Sequence, residues 1–226
     1  GVFGVINAHF DHNSELARAY SAALVRQLAA NVTAVCEGCP IFVTGDFNAP
    51  KDERWWTVFT TPFGAWPKEG LNTPVSDSGD ENDGKEEGLL MGVLQSLLGV
   101  KGSGSGCSAY ELSAPQLTDA WAAAEKRSCG ACGQSSYHAW KGSHPSPQWV
   151  EPFEGEQSKQ IALSGTRHVD GVMLTEAANR TGSVVLAKMV TDDKRIKYMG
   201  GPHASDHYPI VIEWVSNSPN ARDVEF

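Results

Sequence analysis

The strongest constraint on the fold comes from two apolar runs that end in the same way. The first, GVFGVINAHF (residues 1–10), and the second, PIFVTGDFNAP (residues 40–50), are rich in β-branched and aromatic residues and then break into histidine, acid and amide. Between them Ser14 is placed to cap a helix, and Leu16, Tyr20, Leu24 and Leu28 recur every fourth position to give it an apolar stripe. The turn from Cys36 through Gly38 and Cys39 to Pro40 closes that helix and returns the chain to the second strand. This is a strand–helix–strand unit, and the condition for a shared site is that its two strands are parallel neighbours in one sheet. His9, Asp11, Asp46 and Asn48 then share one sheet edge, where sites of α/β proteins are built. Phe47 closes the core in this reading, and its neighbours Asp46 and Asn48 share the opposite face.

The remainder of the chain reads as one domain, residues 1–226, with an insertion at about residues 67–106. There SDSGDENDGKEEG is acidic, LLMGVLQSLLGV is apolar and KGSGSG is a flexible linker. The acidic run does not make an EF-hand, because with Gly84 as the turn glycine the first ligand position falls on Gly79. The apolar run is a helix packed on the body or a lid facing lipid. After the insertion, QLTDAWAAAEKR (residues 116–127) reads as a helix with Asp119 at or near its N-cap. A loop rich in Cys, Trp and Pro follows, and strands return at residues 166–174, 183–190 and 208–214. The net charge of −9 argues against a groove for long duplex nucleic acid but is compatible with a small phosphate ester held through a metal. No apolar run reaches the length of a membrane span, so the chain reads as soluble, with cytoplasmic and secreted locations both open.

Four segments share one peculiarity: acid, amide or histidine interrupts an apolar strand. They are NAHFDH (residues 7–12), GDFNAP (45–50), RHVDGVML (167–174) and SDHYPI (205–210). A buried, unpaired carboxylate is costly, so each must be paired, hydrogen-bonded or metal-bound. Singly, each has a structural explanation: a turn cap, a satisfied core histidine, an N-cap. Together they supply the residue types that handle phosphate and hard metal ions.

In this order, and with TDAW at residues 118–121, the segments resemble the later part of the endonuclease/exonuclease/phosphatase superfamily, the DNase-I-like metal-dependent hydrolases. SSYHAWKG (residues 135–142) is similar to the TFHGFxG loop of one branch, with Ser136, Tyr137 and Ala139 departing from it. The resemblance implies an α/β fold of two face-packed mixed β-sheets flanked by helices, a four-layer sandwich. It implies hydrolysis of a phosphodiester or phosphomonoester with Mg²⁺ or Mn²⁺. Asp46 would position and deprotonate the attacking water, and Asn48 would stabilise the charged transition state. His207 would act on the phosphate or as acid/base partner, with Asp170 fixing its tautomer, and His9 would bind a non-bridging oxygen or assist the leaving group. Asp206, with Asp46 and Asn48, would surround the metal. Asn7 orients the site or satisfies its strand end. Arg18 and His12 bind phosphate or pair with acids. Tyr137, His138 and Trp140 contact the substrate or pack on the body.

The family also carries a strand-end Asn and a metal-binding Glu upstream of the Asn7–His9 motif. The resemblance therefore implies an upstream segment of the same domain as a partner in completing the site. The competing reading is a catalytically inactive scaffold or partner-binding member of the same fold. Of the five cysteines, Cys36 with Cys39 and Cys129 with Cys132 form two close pairs, leaving Cys107. Placed on the face away from the site, the two pairs would be joined by a structural Zn²⁺ or by disulfides.

Overall fold

The computed structural model describes residues 1–62, 114–129, 136–137, 163–190, 205 and 207–217. In chain order the elements are β1 (Gly4–His9), α1 (Glu15–Val35), β2 (Ile41–Asp46), α2 (Arg54–Thr60), β3 (Thr118–Asp119), α3 (Ala120–Ala123), β4 (Lys126–Cys129), β5 (Asp170–Leu174), α4 (Glu176–Thr181), β6 (Gly182–Met189) and β7 (Ile210–Ser216). The expected insertion at residues 67–106 lies outside the described residues. Among the described residues, no helix is long and apolar enough to cross a membrane.

The opening strand–helix–strand unit forms as its sequence dictates. β1 and β2 pair in parallel from Gly4 opposite Ile41 to His9 opposite Asp46. Ser14 caps α1, its hydroxyl accepting the Ala17 N–H at 3.1 Å. The buried face of α1 differs from the expected stripe, however. Ala19, Ala22, Val25, Arg26 and Ala29 are buried, whereas Leu28 is 45% exposed. Small side chains let the helix lie close against the sheet, so contact follows the alanines and not the largest apolar residues. Arg26 is buried with them because its guanidinium donates to four backbone carbonyls, those of Val58, Thr61, Ala114 and Pro115. It thereby ties α1 to α2 and to the segment entering β3.

Two mixed sheets result. The first has the order β1-β2-β5-β3, with β5 antiparallel to both β2 and β3; the second has the order β4-β6-β7, with β4 parallel and β7 antiparallel to β6. One core lies between the first sheet and helices α1 and α2, built on Ile41, Val43, Phe47, Trp55, Phe59 and Met173. The other joins the two sheets face to face, with Phe42 and Leu174 from one against Val184, Ala187, Ile212 and Trp214 from the other. Phe42 and Trp214 meet edge to face with ring centroids 5.4 Å apart. A register shift between Val184 and Leu186 lets both Val184 and Ala187 face this core. The fold is thus two face-packed mixed sheets with flanking helices. On the outer face of the second sheet Val211 and Val215 are exposed.

One expectation needs correction, and for one cysteine pair the choice between zinc and disulfide is decided. The helix expected over residues 116–127 is a single turn, α3, followed by strand β4. Parallel pairing of Lys126–Cys129 with Leu186–Met189 outweighs the helix propensity of the alanine run. Cys36 and Cys39 form a disulfide with each other. Glu37 (φ 55°) and Gly38 (φ 92°) turn left-handed after α1 and bring the two cysteines to a Cα–Cα distance of 5.5 Å. Their sulfurs are therefore not thiolate ligands of a zinc ion shared with the second pair. Cys129 ends β4, and Cys132 lies outside the described residues.

Candidate active site

Strand register builds the site. His9 lies opposite Asp46 on β1 and β2, and Asp46 lies opposite Asp170 on β2 and β5. Three adjacent strands of the first sheet therefore present a histidine and two carboxylates in one row at one end. His207, three residues before β7, completes the group from the second sheet. Its Nδ1 is 2.8 Å from Asp170 Oδ2, and its Nε2 is 3.7 Å from Asp46 Oδ2. His9 Nε2 lies 3.5 Å from the same Asp46 oxygen, with its side chain 75% exposed. Asp46, Asp170 and His207 are only 20–24% exposed, so the row runs from a sheltered centre to an open rim.

Local backbone chemistry explains why GDFN can do this. A Cβ at Gly45 would run into the Ala8 carbonyl oxygen, so glycine permits the approach of β1 and β2 just before the site. Phe47 anchors the turn, stacking on Trp55 at 4.9 Å and meeting Phe10 at 5.1 Å. Asn48 leaves the strand in the left-handed region (φ 55°), which asparagine tolerates better than other side-chain-bearing residues. Its N–H donates to Asp46 Oδ1 at 2.8 Å, and its Nδ2 donates to the Phe10 carbonyl at 2.8 Å. The β2 strand ends at Asp46, so Asp46 and Asn48 meet through a side-chain turn and not as two positions on one strand face.

Electrostatically the centre is strained. Burial raises the Asp46 carboxyl above the ordinary aspartate range, and the neighbouring Asp170 charge raises it further; the Asn48 N–H, His207 and His9 pull the other way. One ligand atom from each of Asp46, Asp170 and His207 can lie within 4.8 Å of the others. Two carboxylates whose mutual repulsion a cation would relieve, beside an imidazole, fit a divalent ion such as Mn²⁺ or Mg²⁺.

A second charged group is more deeply buried than the row. Lys51 Nζ donates to Asp119 Oδ2 at 2.7 Å, and the two side chains are 3% and 6% exposed. The other Asp119 oxygen accepts the Trp121 N–H at 3.0 Å, so Asp119 caps α3 as its sequence position suggests. Burial pushes Lys51 down, opposed by the Asp119 carboxylate. His168 packs edge to face on Trp121 at 4.4 Å, and burial, with Lys51 adding to it, pushes its pKa down to about 3. Among the described residues its Nε2 is buried without a hydrogen-bond partner.

The other residues singled out in the sequence fall in different places. Asn7 shares the exposed face of β1 with His9, and its Oδ1 accepts the Thr44 hydroxyl at 3.1 Å. Arg18 is buried and held by Glu53 at 2.7 and 3.0 Å and by the Asp11 carbonyl at 3.1 Å, the acid-pairing alternative. Asp11 itself accepts the N–H groups of Asn13 and Ser14 and starts α1, which also lowers its pKa. Tyr137 lies against His207, ring centroids 5.0 Å apart, with a backbone bridge between the two residues. Asp206, His138 and Trp140 lie outside the described residues. Sequence reasoning passed over Lys51, His168 and Ser136. Of these only Ser136 carried a signal, a hydroxyl where the similar motif has threonine. Two cavities among the described residues, of about 400 and 510 Å³, are lined by residues such as Arg26, Pro115 and Glu176, and no residue of the Asp46 row lines either.

No family model and no curated protein matches the chain. Solved structures similar in fold include a mannosyl-6-phosphatase from Bacteroides thetaiotaomicron, at 16% identity and a TM-score of 0.48, matched over 93% of this chain and 50% of that one. An endonuclease/exonuclease/phosphatase family protein from the same organism matches at 15% identity and a TM-score of 0.46, over 93% of this chain and 48% of that one. One from Bacteroides vulgatus matches at 15% identity and a TM-score of 0.43, over 91% and 46%. The chain spans about half the length of these structures.

Proposed function

We propose that the chain carries the catalytic row of a metal-dependent hydrolase of phosphate esters, acting on a phosphodiester or phosphomonoester. The observation that supports this reading is the meeting of Asp46, Asp170 and His207 at one sheet end, with His9 at the open rim. Asp170 accepts the Nδ1 proton of His207, which turns the Nε2 lone pair toward Asp46, where it takes a proton from water. Asp46, held by the Asn48 N–H, orients that water. The remaining Asn48 amide proton is available to an oxygen of the phosphoryl group as its charge grows. His9 receives a non-bridging oxygen or the leaving group. Asp46 and Asp170, with Asp206 as a further oxygen donor, would hold Mg²⁺ or Mn²⁺, which when bound supplies charge neutralisation at the phosphoryl oxygens.

The test is hydrolysis of bis-p-nitrophenyl phosphate and p-nitrophenyl phosphate by the full-length protein with Mg²⁺ or Mn²⁺, beside Asp46→Ala and His207→Ala. Turnover that chelation abolishes and both substitutions cripple is the expected result. Turnover that survives both substitutions overturns the site assignment, and absence of turnover favours the scaffold reading.

A further inference from the structure

We infer that Ser136 is a positioning residue: its hydroxyl sets the Asp170–His207 pair by holding the start of β5 in place. Ser136 is fully buried, and its Oγ accepts two backbone N–H groups, those of Val169 and Asp170, each at 3.1 Å. A hydroxyl oxygen has two lone pairs, so one small side chain serves both donors. The topology explains why a side chain is needed there. Strand β3 pairs with β5 at Met173 and Leu174, and among the described residues this edge of β5 has no strand partner at Asp170. Ser136 supplies an acceptor where the ladder has stopped.

The same short segment holds the other half of the pair. The Ser136 carbonyl accepts the Tyr208 N–H at 2.7 Å, and Tyr137 bridges to His207 through the backbone. Residues 136–137 thus clip the Asp170 strand to the His207 strand, through a side chain on one side and backbone on the other. The two ends of the 2.8 Å Asp170–His207 bond are 37 residues apart in sequence, and this clip fixes their separation. Ser136→Ala removes only the side-chain half. The backbone bridge to His207 and Tyr208 stays, while Asp170 loses the bond that fixes its main chain beside the imidazole.

The catalytic consequence rests on the phosphoesterase reading; the geometric one does not. The experiment therefore has two readouts on Ser136→Ala. The first is the ring-nitrogen NMR shifts of His207 in metal-free protein under alkaline conditions, where a neutral imidazole reports its tautomer. Wild type is expected as the single Nδ1–H tautomer, and Ser136→Ala as a mixture with the Nε2–H form. The second is turnover, expected to fall about 10²-fold in kcat with KM unchanged, because the substitution displaces a catalytic group without touching substrate. A single Nδ1–H tautomer in Ser136→Ala overturns the inference whatever the activity. A protein that hydrolyses no phosphate ester but shows the tautomer change overturns the phosphoesterase reading alone. If Ser136→Ala does not fold, Ser136→Cys fills the site with a slightly larger atom that is a much weaker acceptor, and a wild-type tautomer there overturns the inference equally.

Discussion

Two pairs of ionisable side chains draw residues from the strands of the first sheet, and they are built on opposite principles. Lys51 and Asp119 are of opposite charge, almost fully buried and hydrogen-bonded at 2.7 Å, with the second Asp119 oxygen satisfied by a helix N–H. Asp46 and Asp170 are of like charge, face each other across β2 and β5, and remain about one-fifth exposed. The first arrangement is complete in the protein alone. The second raises the Asp46 pKa, chiefly through burial and then through Asp170, and so leaves an electrostatic deficit that a proton or a cation relieves. A closed pair holds structure together; an open pair of like charges marks a place for something to bind.

The largest effect that sharpens this comparison is on the closed pair. Lys51→Met strands Asp119 as a buried, unpaired charge and is expected to destabilise the fold by about 3–5 kcal/mol. Chemical denaturation should show the loss, and adding Asp119→Leu should recover most of it; a single variant as stable as wild type would break the comparison. In the open pair, Asp46→Ala and His207→Ala are expected to lower turnover by roughly 10²- to 10³-fold while the denaturation midpoint moves little.

Next in size is a pH effect centred on His168. Its folded pKa, about 3, lies below the ordinary histidine value of 6.5, so the unfolded chain binds the proton more readily. Its contribution is therefore complete above pH 6.5 and is lost as pH falls toward 3, by about 1.4 kcal/mol per pH unit. His168→Phe should flatten that part of the stability–pH curve measured by denaturant titration; an unchanged slope would assign it elsewhere. The smallest effect has the opposite sign from most substitutions. Asp46→Asn removes the charge that burial and Asp170 disfavour, so it should lower turnover as Asp46→Ala does yet raise stability by about 1 kcal/mol in metal-free protein. A lower melting temperature for Asp46→Asn would show that its contacts with His9 and His207 outweigh the repulsion.

Much of the sheet end was legible before any coordinates. The Ser14 cap, the parallel neighbours β1 and β2, and the delivery of His9 and Asp46 to one edge follow from spacing within 46 residues. The juxtaposition of Asp170 and His207 was accessible only through resemblance to a family, since no periodicity connects residues 37 positions apart. The buried face of α1 was misread because Leu16, Tyr20, Leu24 and Leu28 are larger than the alanines that touch the sheet. Residue size predicts what benefits from burial, but close approach decides what is buried. Similarly, Lys126–Cys129 became a strand because β6 offered a ladder, which no local propensity encodes.

By itself, then, the sequence determined the elements whose partners lie nearby in the chain and the chemical character of the residues that end them. Hydrogen bonds of caps and turns, and the alternation of strands, depend on residues a few positions apart, so composition and spacing suffice. Tertiary structure alone decided which charges are matched and which are not. Lys51 finds Asp119 across 68 residues, and Ser136 reaches the backbone of Asp170 where β3 ends. The energy of a buried charge or polar group depends on its distance to partners and on the water excluded around it, and the packed fold sets both.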